Sequence, residues 1–220
     1  MAAYLTGRAG GGARAGYNVP AAPTPRRHPD RPMRRLFVAI DFPEPVRREL
    51  ALLCFGLPDA RWVPPEQLHL TVRFIGEVEG SRFLDVRDAL GEVRAAPFDL
   101  RLRGMGHFPP RGRPHVLWAG VEGGDGLRVL HDRVEAAVTR AGLPPEGRNF
   151  APHVTVARLK GTHPRRVAGY LTEHALFSVG PFAVESFHLY SSVVGPKGAL
   201  HTLEASYPLG TVPAPHEEPA

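Results

Sequence analysis

Cysteine is almost missing from this chain of 220 residues: Cys54 stands alone. A disulfide framework and a cysteine-rich zinc module are thereby excluded. A reducing, cytoplasmic compartment is the expectation. No run of about 18 apolar residues occurs, so no membrane-spanning helix is expected. Lysine is scarce too, with 2 of the 27 basic residues. An arginine excess in an Ala-, Pro- and Gly-rich chain is what coding bias produces, and no function is assigned to it.

Residues 1–33 lack serine, lack a periodic apolar pattern, and hold one acid, Asp30, against five arginines. This basic Gly/Ala/Pro/Arg-rich extension cannot bury enough surface to offset its ordering entropy and is expected to be disordered. It has no apolar core of a secretory signal, and without serine it is a poor transit peptide. Met33, just before the first strand-like run, is a candidate translation start. The remaining residues, 34–220, hold 22 basic and 21 acidic side chains, so the folded part is almost neutral. The sequence pI near 9.9 therefore says little about a nucleic-acid-binding face on the folded part. Residues 211–220 are Pro/Glu-rich and are expected to form a flexible tail.

What is present is an alternation of strand-like and helix-like stretches over 34–210. Strands are expected at 36–41, 69–75, 98–103, 115–121, 153–159, 182–190 and 200–206. Helices are expected from Pro45 with Val46, Leu50 and Leu53 on one face, over 82–93, over 127–141 and near 165–176. The third is the strongest: Leu127, Leu130, Val134, Ala137, Val138 and Ala141 recur at three and four, and Gly142 ends it. Interleaved strands and helices of this kind suggest an α+β fold.

A unit recurs. A helix and a Pro-containing loop lead to Leu68-His69-Leu70-Thr71-Val72, and again to Pro152-His153-Val154-Thr155-Val156. Strand alternation puts His69 and Thr71 on one face, and likewise His153 and Thr155. Two such units imply a pseudo-symmetric molecule with the histidines facing each other across its midline. Two imidazoles near neutrality can divide between base and acid. The threonine hydroxyls beside them can donate to phosphoryl oxygens. This is the equipment of metal-free phosphodiester cleavage. A metal site on the two histidines lacks an evident third ligand at suitable spacing. With eleven histidines and nine threonines in the chain, two chance pairs arise about once in ten such sequences, so the flanks must carry the specificity.

The flanks carry a resemblance. Arg35-Leu36-Phe37-Val38-Ala39-Ile40-Asp41, then His69-Leu70-Thr71-Val72-Arg73-Phe74-Ile75-Gly76, then His115-Val116-Leu117-Trp118-Ala119-Gly120, then Phe150-Ala151-Pro152-His153-Val154-Thr155 resemble, in order, segments of the two-histidine (2H) phosphoesterases. The most similar branch is the RNA 2',3'-cyclic phosphodiesterases, also called 2'-5' RNA ligases. The resemblance spans roughly 34–210. It implies a bilobal pseudo-two-fold fold, with two antiparallel sheets flanking a central cleft and helices outside. It implies hydrolysis of a terminal RNA 2',3'-cyclic phosphate to a 2'-phosphomonoester, and ligation of tRNA-half-like ends as the reverse-type reaction. No metal, no cofactor, no membrane and a monomer are implied.

Carried over by motif, His69 and His153 are the acid–base pair, with His69 read as acid and His153 as base. Thr71 and Thr155 are the phosphate donors. Arg158 matches a family arginine, although strand parity turns it away from the cleft unless the strand bulges, twists or ends there. Phe37 shares a face with Ala39 and Asp41 and is a candidate for stacking a substrate base. Arg73 is read as a solvated strand-end cation. Cys54 is read as buried rather than nucleophilic, and the remaining histidines, His201 among them, receive no role. Arg111 and Arg113 lie in a loop that could touch RNA. The alternatives are a phosphodiesterase for 2'-5' oligonucleotides or small cyclic phosphates, and an RNA-binding or strand-joining factor.

Overall fold

The computed structural model describes residues 33–195 and 198–210. The expectations for the extension before Met33 and for the tail over 211–220 lie outside the described residues. The elements run β1 (Arg34–Asp41), α1 (Glu44–Ala51), β2 (Ala60–Trp62), a 3-10 turn (Pro65–Gln67), β3 (His69–Val78), α2 (Gly80–Gly91), β4 (Phe98–Phe108), β5 (Val116–Glu122), α3 (Gly124–Arg140), β6 (His153–Leu159), α4 (Pro164–Glu173), β7 (Ser178–Val184), β8 (Ser186–Gly195) and β9 (Gly198–Pro208). No described helix is long and apolar enough to cross a membrane.

The local chemistry explains these elements. Pro45 sits in the first turn of α1, where its missing N–H costs nothing, and Val46 and Leu50 turn inward. In α3 the residues Leu127, Leu130, Val134, Ala137 and Val138 form one buried stripe. Gly142, at φ +82°, closes that helix in the left-handed conformation that side chains disfavour.

All pairings are antiparallel, in the order β7-β4-β5-β6-β3-β1-β8-β9, with β2 added to β6. The two strands bearing the repeated motif, β3 and β6, are adjacent at the middle. They meet at one residue pair, Leu70 opposite Val154. Outward from β3 lie β1, β8 and β9, here the His69 half. Outward from β6 lie β5, β4 and β7, the His153 half. Where two sheets were expected, backbone pairing joins both strand sets into one sheet through that single pair. The single strand expected over 182–190 is two strands. β7 pairs with β4 and β8 pairs with β1, so the chain passes from one half to the other at Glu185.

One face of the sheet is apolar. Leu36, Val38, Ile40, Leu70, Leu117, Val154 and Leu189 are buried from it, in one cluster with the inward stripes of the four helices. Each such side chain contributes roughly 1.5–3 kcal/mol on burial. The opposite face carries the polar members of the same strands.

That alternation is broken at several register shifts, two of which fall at the same offset. In β3, Thr71 stands opposite Ala39 and Arg73 opposite Val38, leaving Val72 as an extra residue. In β6, Thr155 stands opposite Trp118 and Ala157 opposite Leu117, leaving Val156 as the extra residue. Both are β-bulges three residues beyond a histidine, and each resets the parity of the strand beyond it. From His69 and from His153 the burial reads identically: half-buried, buried, half-buried, buried, buried, exposed.

Candidate active site

The two histidines are held alike. His69 Nδ1 lies 2.7 Å from the carbonyl oxygen of Gln67, and His153 Nδ1 lies 2.7 Å from that of Ala151. A carbonyl can only accept, so both rings carry their proton on Nδ1 and leave Nε2 as the reactive nitrogen. Each donates to the residue two before it, at the point where its strand begins. Each also meets a phenylalanine: Phe37 at 5.0 Å from His69, tilted, and Phe108 at 5.0 Å from His153, edge-on. Thr71 and Thr155 lie two residues on, half-buried, and neither hydroxyl is taken up by another group among the described residues.

The rings do not share one environment. Burial, above all, pushes the His69 imidazole down to about 4, and the neighbouring His201 and His153 add to this. The Gln67 carbonyl and the Asp41 carboxylate oppose it without prevailing. His69 is therefore neutral at neutral pH, which is the form a base requires.

The bulge at Val156 settles the parity of Arg158. Ala157 and Leu159 turn to the core, and Arg158 is exposed, beside Val116 and opposite Arg61 on the neighbouring strands. Position 158 thus returns to the face of His153 and Thr155. Its counterpart after the Val72 bulge is Phe74, which is 53% exposed and lies 6.3 Å from Phe37. A strict alternation gives no hint of Phe74.

Phe37 is on the expected face but only 4% exposed. Tyr190 stacks on it at 5.4 Å and His201 meets it edge-on at 4.9 Å. In this conformation its ring is a floor under His69, and a base stacking on it would have to displace a neighbour.

Arg73 departs from the sequence reading. It is 6% exposed, not solvated. The residue after a bulge turns inward, so its guanidinium enters the protein. There it pairs with Glu135 of α3 and with Glu146 at 3.1 Å, and donates to the carbonyls of Phe74 and, at 2.8 Å, Pro144. Glu135 also accepts from the backbone N–H of Glu146 at 2.9 Å. This network ties β3 to the loop that leads into His153.

Several residues that local sequence offered no reason to choose gather here. His201 of β9 lies 5.3 Å from His69, edge to face. The Tyr190 hydroxyl donates to Asp41 at 2.6 Å, and His188 Nε2 is 3.9 Å from the same carboxylate. Trp118 packs against Gly106, where a Cβ would come within 2.2 Å of the indole. A glycine at 106 is thus what lets the ring sit beside Thr155. Cys54 is half-buried and burial pushes its thiol up to about 11, in keeping with its inert reading. Among the described residues no three side chains of metal-ligating type converge.

Comparisons with known proteins find relatives over most of the described chain. The family model for the 2'-5' RNA ligase superfamily matches residues 44–196. The chain is 40% identical to an RNA 2',3'-cyclic phosphodiesterase of Aeropyrum pernix over 149 residues, covering 66% of this chain and 84% of that protein. It is 32% identical to an RNA 2',3'-cyclic phosphodiesterase of Archaeoglobus fulgidus over 170 residues, covering 76% and 96%. Among solved structures it resembles TT0787 of Thermus thermophilus, with a TM-score of 0.66 and 35% identity over 80% of this chain and 97% of that one. E. coli LigT complexed with 3'-AMP also gives 0.66, at 25% identity over 82% of this chain and 100% of the other.

Proposed function

The chain belongs to the 2'-5' RNA ligase superfamily, and from that premise we propose that it is an RNA 2',3'-cyclic phosphodiesterase producing a 2'-phosphomonoester. The relatives named for that activity, matched over most of their length, support the reaction. The observation that carries the mechanism is the twin Nδ1-to-carbonyl anchoring, which leaves two imidazole Nε2 atoms for proton transfer from one sheet face.

In the reaction a water oxygen attacks phosphorus and the bond from phosphorus to O3' breaks. The attacking water loses a proton to one imidazole, and O3' gains one from the other. The product keeps its phosphate on O2' and gains a free 3'-hydroxyl. Burial keeps His69 neutral before the reaction, the form that can accept a proton, so His69 is assigned as the base and His153, by its place across the site, as the acid. This order is the reverse of the one expected from the sequence. Thr71 and Thr155 donate to the non-bridging oxygens, and Arg158 offsets their charge. Phe74 offers an exposed ring on the same face for the terminal base. A 5'-hydroxyl in place of water would give a 2'-5' linkage through the same two transfers. The reaction needs no metal.

The test is a short RNA ending in a 2',3'-cyclic phosphate, incubated with the protein in EDTA, with 2'- and 3'-phosphate products separated by chromatography. Wild type is expected to give the 2'-phosphate, and His69→Ala and His153→Ala to give none. A 3'-phosphate product, loss of activity in EDTA, or full activity of either variant would refute the mechanism.

A further inference from the structure

Many of the arginines, Arg34, Arg87, Arg103 and Arg128 among them, are ion-paired to carboxylates. Others among the described residues are not, Arg35, Arg101, Arg140, Arg165 and Arg166 for example, and four such cations lie together at the rim of the His153 half. Arg111, Arg113, Arg158 and Lys160 have no carboxylate at ion-pair distance among the described residues. They are close in the fold although they come from two parts of the chain. The loop carrying Arg111 and Arg113 leaves the sheet at Phe108, whose ring touches His153. It returns at Val116, which stands opposite Arg158. The His115 N–H donates to the Phe108 carbonyl at 2.8 Å and pins the base of that loop. The Leu159 N–H donates to the His115 carbonyl at 2.8 Å, binding the loop to the end of β6. A Cβ on Gly161 would lie 3.3 Å from Arg113 Nη2, so this guanidinium lies over the segment just past Lys160.

The folded part is almost neutral, so it is the grouping of these charges, with no carboxylate among them, that sets the rim apart. None of the four is an aromatic platform, and all are exposed. Such a surface fits a chain of phosphates rather than bases. It begins at Arg158, beside Thr155, and leads away from the site. A strand end that must reach His69 and His153 is single-stranded there.

We propose that this rim receives the backbone phosphates of single-stranded RNA upstream of the cyclic end, with Arg111 and Arg113 as its outer contacts. The inference rests on the reading of the site as an RNA-end phosphodiesterase. It makes the protein an enzyme of oligonucleotide ends, selecting them over free cyclic nucleotides through KM and independently of sequence.

The experiment compares two substrates: an octaribonucleotide ending in a 2',3'-cyclic phosphate, and cytidine 2',3'-cyclic monophosphate, which has no upstream phosphate. In Arg111→Glu/Arg113→Glu the octanucleotide KM is expected to rise about 10–100-fold. The salt dependence of its kcat/KM should flatten by about 0.7 in log–log slope for each phosphate that the variant no longer neutralises. Cytidine cyclic phosphate turnover is expected to stay within about twofold. An equal change on both substrates, or none on either, would overturn the proposal. Fluorescence anisotropy with the 2'-phosphorylated octanucleotide gives a second arm that needs no turnover, with the same loss of affinity expected in the variant. Inactivity of wild type on both substrates would overturn the phosphodiesterase reading. Unchanged anisotropy in the variant would overturn the rim by itself.

Discussion

Replacing Arg73 by methionine tests whether one buried guanidinium fastens β3 to the loop that leads into β6. The side chain is 6% exposed, and its partners Glu135 and Glu146 are each 22% exposed. Methionine keeps most of the volume and removes every donor. Glu135 then loses its counter-charge, Glu146 keeps only the exposed Arg148 at 3.3 Å, and the Pro144 carbonyl loses its donor. Breaking a buried pair costs about 3–5 kcal/mol, because the abandoned charge is still desolvated. The partial exposure of both glutamates favours the lower part of that range, and the unsatisfied carbonyls raise it again. Against a total stability of about 5–15 kcal/mol this is a large fraction. For a domain of this size it corresponds to a fall of about 6–20 °C in Tm. Urea and thermal melts of R73M would measure it, beside R87M, whose exposed pair with Asp88 should be worth less than about 1 kcal/mol. Because the same guanidinium anchors the loop entering β6, kcat should also fall in R73M at temperatures where it is folded. Adding Glu135→Gln and Glu146→Gln should restore part of the stability. A loss below about 1 kcal/mol in R73M would refute the reasoning.

Further outcomes rest on the same geometry. His69 is held near 4 when folded against about 6.5 when unfolded, so between those values only the unfolded chain binds the proton. Stability should therefore be complete above about pH 6.5 and fall by about 2–3 kcal/mol toward pH 4. His69→Asn should flatten that fall, and an unchanged urea midpoint profile between pH 4.5 and 7.5 would contradict it. Thr71→Val and Thr155→Val should each lower kcat about 10–1,000-fold while leaving the melting curve nearly unmoved; normal turnover would reduce them to strand residues. Gly106→Ala should push the Trp118 indole off its seat, costing about 1–3 kcal/mol and shifting tryptophan fluorescence. An unshifted spectrum would show that the ring has another way to fit.

The features legible in the chain are local ones. His69 with Thr71 and His153 with Thr155 share a face because strands alternate, and residues two apart suffice to see it. The helix over 127–141 and its ending at Gly142 are equally local. Arg158 and Phe74 are hidden by the bulges, which exist only in the pairing of β6 with β5 and of β3 with β1. Arg73 escapes a local reading for the same reason, since its carboxylate partners lie 62 and 73 residues further along the chain. His201 reaches His69 because β9 folds back on β8 and β8 pairs with β1, a route that no spacing near His201 encodes. The run over 182–190 resembles one strand because its alternation continues through Glu185, where the chain changes partner.

The join between the halves at Leu70 and Val154 has a mechanical meaning. Two plates fastened at one rung resist being pulled apart but resist twisting poorly. The second fastening is made of side chains: the Arg73 clamp and the packing of α2 against α3. The gap between the two imidazoles is then a torsional coordinate, set by packing rather than by a ladder of backbone hydrogen bonds. Substitutions in that packing could widen or narrow the space for a substrate while leaving both strand registers, and both carbonyl anchors, untouched.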